Sequence, residues 1–199
     1  RNKMMHDTLI LCCHEGVKET RGKYSKGKSI RKRDKSVYSR EEAGHWEADT
    51  VVSGQGKSKA CFATLAERKT RFYIAMKMSD RRAETMENAI VAALSAFPPQ
   101  LVKTITCDRG TEFANWRRIE ERLHCEVYFA DPYCAWQKGT NENLNGLLRE
   151  FYPKGRNLSR VAPATLKRNL ALLNARPRKV LYFHSAQELW DFELNSCCT

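Results

Sequence analysis

The sequence predicts a mixed α/β fold: a five-stranded sheet, three antiparallel strands followed by an α-β-α-β-α series, flanked by helices. Three observations carry this. Residues 45–78 hold three short segments of strand character separated by turn signals. Residues 81–129 alternate helical periodicity with short apolar runs. After a loop holding Pro132 and Gly139, three further segments carry helical spacing.

His45 to Val52 alternates as a strand and ends in β-branched residues, and Ser53-Gly54-Gln55-Gly56 reads as a hairpin turn. Ala60 to Ala66 and Arg71 to Met78 are the next strands, split by the charged turn Glu67-Arg68-Lys69. From Arg81 to Phe97, Met86, Ala89, Ile90, Ala93, Leu94 and Phe97 recur at helical spacing until Pro98-Pro99 stops the helix. Val102 to Cys107 is a short strand, Asn115 to Leu123 a charged helix, and Cys125 to Phe129 the fifth strand. Helices over Asn141–Phe151, Pro163–Asn174 and Ala186–Phe192 complete the series.

Composition bounds the function. The 199 residues carry 35 Lys and Arg against 23 Asp and Glu, a net charge of +12, so a polyanion is the expected partner. No run approaches the roughly 18 apolar residues of a membrane helix, and no signal peptide pattern opens the chain. The eight cysteines show no C-x-x-C and no zinc-finger spacing, which suits reduced thiols of a cytoplasmic protein. Residues 18–40 contain ten Lys or Arg against Glu19 and Asp34, without an apolar period. Residues 1–40 therefore read as a basic, partly disordered arm, with Arg31, Lys32 and Arg33 as candidates for phosphate contact. Residues 41–199 read as the folded core.

Three carboxylates fall where such a sheet can gather them. Asp49 lies midway along the first strand, Asp108 ends the fourth, and Glu142 opens the helix after the fifth. Acids clustered in a basic protein repel one another and phosphate unless a divalent ion neutralises them. Mg²⁺ takes such oxygen ligands, and two ions about 3.5–4 Å apart serve in-line displacement at phosphorus. Glu47 shares the strand face of Asp49 and is a rival first ligand; Glu112 rivals Asp108. On the helix, Leu144, Leu147, Leu148 and Phe151 form a core stripe, while Glu142, Asn145 and Arg149 share another face suited to gripping phosphates. His45 and His124 are expected to be structural.

Three runs are more specific than periodicity: Gly44-His45-Trp46-Glu47-Ala48-Asp49-Thr50-Val51, Thr106-Cys107-Asp108-Arg109-Gly110-Thr111-Glu112-Phe113 and Trp136-Gln137-Lys138-Gly139-Thr140-Asn141-Glu142-Asn143. They resemble the catalytic core of bacterial insertion-sequence transposases, nearest the family named after insertion sequence thirty. The likeness continues through Asn145–Arg149, Tyr152–Gly155 and Asn174–Lys179, and covers about Gly44 to Glu188. It implies a ribonuclease-H-like integrase core over residues 41–199, with a metal triad at Asp49, Asp108 and Glu142, and it favours Asp49 over Glu47. It also implies Mg²⁺ or Mn²⁺, two ions in all, and cleavage at transposon ends followed by transfer of the 3′-hydroxyl strand into target DNA. A homo-oligomer, a dimer on paired DNA ends, is expected on the same ground. Family members carry an upstream helix-turn-helix; its pattern is missing here, so the chain reads as a catalytic fragment with its connecting arm. Cys134-Ala135 stands where the family tends to have Ser-Pro, Lys138 where it has Arg, and Ser185-Ala186 where it has Thr-Pro.

Lys138, Arg149 and Lys154 are candidates for DNA backbone contact, and Tyr133 and Trp136 for stacking on an unpaired base. Two other functions fit the same residues: a nuclease of this fold that cleaves without joining, and a transposase-derived DNA-binding protein without activity.

Overall fold

A computed structural model describes residues 27–132 and 134–197. Six strands form one mixed sheet: β1 (Lys28–Ser29), β2 (His45–Val52), β3 (Cys61–Glu67), β4 (Tyr73–Met78), β5 (Thr104–Cys107) and β6 (Glu126–Phe129). Their spatial order is β1-β6-β5-β2-β3-β4. β2, β3 and β4 pair antiparallel, as their short connections require, while β5 and β6 join in parallel through the helices α1 (Ala83–Leu94) and α2 (Trp116–Leu123). Three more helices follow: α3 (Gly139–Phe151), α4 (Pro163–Ala175) and α5 (Ala186–Ser196).

The sheet has one strand more than the expected five. β1 is two residues long, too short to show a period, and lies parallel to β6 with Lys28 opposite Tyr128. It comes from the segment expected to be part of the arm. Beyond it Ile30 and Val37 are buried, and so is Arg33, whose Nη1 donates to Thr106 Oγ1 at 2.8 Å. Residues 1–26 lie outside the described residues. The turn expected at Ser53–Gly56 also belongs to a longer link, since β3 begins only at Cys61. The loop docks on the chain leaving α3: Gly54 N–H donates to Arg156 O at 3.0 Å, and a Cβ on Gly54 would lie 2.3 Å from Gly155 O.

Alternation along β2 sends its side chains to two different cores. Trp46 and Ala48 face α1, α2 and α5, where Trp46 meets Trp190 edge-on at 5.3 Å between ring centres. The Trp46 indole N–H is satisfied by Leu101 O at 2.8 Å. Val51 faces the opposite layer, packed with Phe62, Leu144, Leu148, Leu166 and Leu173 of β3, α3 and α4. Glu47 and Asp49 lie on that second face too, so β2 offers carboxylates to the layer that holds α3. The cysteines among the described residues are unpaired, and burial pushes the Cys61 thiol up to about 11. No helix among the described residues is long and apolar enough to cross a membrane.

Candidate active site

Parallel pairing of β2 with β5 puts Glu47 opposite Thr106. Continuing that register by two residues sets Asp49 beside Asp108, just past the end of β5. Neighbouring strands are about 4.8 Å apart, so the two carboxylates are adjacent despite their distance in sequence. Asp108 folds back on its own turn, where Oδ1 accepts Gly110 N–H at 2.8 Å. A Cβ at Gly110 would lie 2.9 Å from that oxygen and nearer still to Glu112 Oε2, so a side chain there would push both carboxylates aside.

α3 runs alongside β2 and is fastened to it. Four helical residues rise about 6.0 Å and two strand residues about 6.6 Å, so side chains at i and i+4 on the helix match i and i+2 on the strand. Asn141 meets Glu47: its backbone N–H donates to Glu47 Oε2 at 2.8 Å and its Nδ2 to Glu47 O at 2.7 Å. Asn145 meets Asp49, donating from Nδ2 to Oδ2 at 2.9 Å. Arg149, one turn further, donates to Val52 O at 3.2 Å. The face expected to grip phosphates therefore turns partly inward. Asn145 is spent on Asp49, with its Oδ1 accepting the Tyr73 hydroxyl at 2.6 Å. Burial pushes the Tyr73 phenol far above its ordinary range, so it remains a proton donor.

The two rival acids are engaged elsewhere. Glu47 is fully buried and its Oε1 accepts Arg68 Nη1 at 2.6 Å, an ion pair within the protein. Glu112 is buried against Arg81 Nη2 at 2.5 Å and Thr50 Oγ1 at 3.2 Å. Glu47 is thus enclosed on all sides, and Glu112 commits its Oε1 to Arg81 and Thr50.

Asp49 and Asp108 share one cation. The Lys138 ammonium lies 3.3 Å from Asp49 Oδ1 and 3.4 Å from Asp108 Oδ2, and donates to Ala48 O at 3.2 Å. Burial works against the Lys138 charge, but the two carboxylates more than offset it and hold its pKa above the usual lysine value. Two carboxylates aimed at one cationic point are the donor set that a hard cation takes. Glu142 does not join them. It sits in the first turn of α3, one turn before Asn145, with an exposed side chain. Among the described residues no three acidic, His or Cys side chains are grouped to hold a metal ion. The expected meeting of three acids is thus a meeting of two, because Lys138 already balances the pair and the Glu142 side chain points to water.

The DNA candidates divide. Lys32 and Lys154 are exposed, Arg31 is exposed but pairs with Asp131 at 3.0 Å, and Arg149 is half-buried. Arg33 and Lys138 face inward instead, Arg33 stacked over the Tyr38 ring at 4.8 Å. Trp136 is 73 % exposed, so it packs in no core. Tyr133 lies outside the described residues. His45 is structural as expected: it sits between Thr104 Oγ1 at 2.9 Å and Glu42 Oε2 at 3.2 Å. Tyr73 and Asn141 escaped the sequence reading. The signal for Asn141 was present in the matched spacings of Asn141/Asn145 and Glu47/Asp49.

Residues 39–135 match the family model described as "Integrase core domain". A probable transposase for insertion-like sequence element IS1161 of Streptococcus salivarius is 37 % identical over 165 residues, covering 83 % of this chain and 46 % of that protein. Transposase InsI for insertion sequence element IS30C of Escherichia coli (strain K12) is 36 % identical over 163 residues, covering 82 % of this chain and 42 % of that protein. The chain thus spans about half the length of the curated relatives it matches. Among solved structures, the catalytic core domain of BIV integrase superposes with a TM-score of 0.58 at 16 % identity, covering 79 % of this chain and 99 % of that one. The HTLV-2 integrase catalytic core domain in complex with magnesium gives 0.55 at 13 % identity, covering 74 % and 95 %. These likenesses concern the fold, which is ribonuclease-H-like. Sequence and architecture agree: the chain belongs to the integrase core family, and most of its length is similar to part of the transposases of bacterial insertion sequences.

Proposed function

We propose that the chain is the catalytic domain of a DNA transposase, which cuts phosphodiester bonds at the ends of a mobile element and joins the freed 3′-hydroxyl strand to target DNA. The observation that carries this reading is the convergence of Asp49 and Asp108 on one cationic point, beside the helix whose first turn bears Glu142. Asp49, Asp108 and Glu142 would hold Mg²⁺ or Mn²⁺, two ions in the fully loaded site. Such ions, when bound, make a water or hydroxyl nucleophilic at neutral pH and stabilise the leaving oxygen. The chain supplies orientation. Tyr73 and Asn145 fix the Asp49 carboxylate, while Glu47 and Asn141 set the seat of α3 and with it Glu142. Lys32, Lys154 and Arg149 present cations for backbone phosphates, and Trp136 presents a ring for an unpaired base. The net charge of +12 draws the polyanion in. Processing two element ends together calls for a homo-oligomer, a dimer at the least, working on DNA in the bacterial cytoplasm.

Incubation with labelled DNA bearing the element's ends, in Mg²⁺ or Mn²⁺, tests the reading. Joined products support a transposase, cleavage without joining supports a nuclease of the same fold, and a mobility shift alone supports a DNA-binding derivative. Asp49→Asn, Asp108→Asn and Glu142→Gln each abolish cleavage and joining while DNA binding survives. Joining retained by Asp49→Asn overturns the assignment.

A further inference from the structure

Lys138 differs from the other basic residues expected at DNA. Its side chain is 11 % exposed, and its nitrogen has oxygens of Asp49, Asp108 and Ala48 at 3.2–3.4 Å. An ammonium carries three donors, so three oxygens exhaust it. The oxygens it occupies are those that an ion between Asp49 and Asp108 has to take. An ammonium and a divalent ion cannot both take the one point that Asp49 Oδ1 and Asp108 Oδ2 face, because either one fills it.

We infer that Lys138 is the resident counter-cation of the ion-free site, and that a divalent ion enters only by displacing it. This rests on the reading of Asp49 and Asp108 as ion ligands. The tethered ammonium keeps two adjacent acids from repelling each other before the ion arrives. It also sets ion affinity by competition, so the site fills at a higher ion concentration than its oxygens alone require. The displaced ammonium is left immediately before α3, at the mouth of the site, where a backbone phosphate offers it a new anion. Ion and DNA therefore strengthen each other's binding by an equal factor.

Calorimetric titration of Mn²⁺ into the 199-residue protein tests this. Lys138→Met removes the charge, Lys138→Gln removes it but keeps a donor for Ala48 O, and Lys138→Arg keeps it. The two neutral variants bind Mn²⁺ at least tenfold more tightly than the native chain, whereas Lys138→Arg stays within about threefold of it. In the native chain, acetic anhydride modifies Lys138 slowly without an ion and at least fivefold faster with saturating Mn²⁺, read by mass spectrometry. Equal or weaker Mn²⁺ binding by both neutral variants overturns the inference, as does a modification rate that Mn²⁺ leaves unchanged. Should Lys138→Met fail to fold, the labelling of the native chain still decides. The two readings fail separately. If Asp49→Asn and Asp108→Asn abolish Mn²⁺ binding while the neutral Lys138 variants match the native chain, only the competition falls. If those aspartate variants bind Mn²⁺ as the native chain does, the ion site itself falls.

Discussion

Neutralising Glu47 tests how α3 is held. Its carboxylate is fully buried, accepting from Arg68 Nη1 at 2.6 Å and from the Asn141 N–H at 2.8 Å. Lys138, at the start of α3, makes no side-chain cap, so Glu47 satisfies one of the helix's orphan N–H groups from the neighbouring strand. In Glu47→Gln the guanidinium of Arg68 stays buried without an acid. Removing one partner of a buried pair costs about 3–5 kcal/mol. The upper end applies here, because other cations lean on the same carboxylate. Arg71 is brought down to about 10 by burial and by its neighbours Arg40 and Arg68, with Glu47 as an opposing charge. Burial and Arg68 likewise depress Arg33. In a domain of this size 1 kcal/mol shifts the melting temperature by about 2–4 °C, so the midpoint should fall by roughly 10–20 °C. Urea unfolding followed by circular dichroism measures the cost directly. A cycle with Arg68→Met should show a coupling of about 2 kcal/mol, the double variant losing less than the sum. A cost below about 1 kcal/mol for Glu47→Gln, or strict additivity with Arg68→Met, would refute the fastening role.

Three further outcomes follow from particular contacts. Gly54→Ala forces a methyl to within 2.3 Å of Gly155 O, and urea unfolding should show a loss of about 1–3 kcal/mol. Trp136→Ala removes an exposed ring, so affinity for DNA with unpaired ends should fall about 5- to 100-fold with the melting temperature unmoved, as read by fluorescence anisotropy and calorimetry. Burial depresses the His45 pKa below 6.5, although Glu42 opposes this, so the unfolded chain takes up the proton first. Stability is then full above pH 6.5 and declines as the pH falls through 6.5 toward the lower folded value, a loss that His45→Gln should reduce when urea midpoints at pH 7 and pH 5.5 are compared.

How much of this was legible depends on the length of each signal. β2 runs from His45 to Val52 as its alternation predicts, and Leu144 and Leu148 of α3 are buried as their spacing predicts. Eight alternating residues or about three and a half helical turns give a period enough room to show. β1 has two residues, and only its pairing with β6 makes it a strand. The adjacency of Asp49 and Asp108 was legible because parallel pairing alone sets the middle of β2 beside the end of β5. What Glu47 and Lys138 do was not. Glu47 shares a strand face with Asp49, and parity cannot separate two acids on one face. What separates them is Arg68, in the turn that follows β3, which a sequence shows only as one charge among several. The direction of Lys138 is set by the field of two carboxylates that meet only after the chain has folded.

The two acids on that face meet two kinds of cation, and the difference bears on what each can do. Glu47 is paired with a guanidinium, permanently charged and rigid, in a place with no exposure at all. Breaking such a pair strands a charge in the interior, so it stays closed and serves as a fixed seat for α3. Asp49 is paired with an ammonium, at 3.3 Å, and its side chain is 29 % exposed. A single point charge on a flexible four-carbon stem can leave for water or for phosphate once a divalent ion takes over the carboxylates, because both solvate it well. Two residues along one strand thus separate a permanent ion pair from a replaceable one. The permanent pair holds the helix that bears Glu142, and the replaceable pair sits where the proposed phosphodiester chemistry would need a cation to come and go.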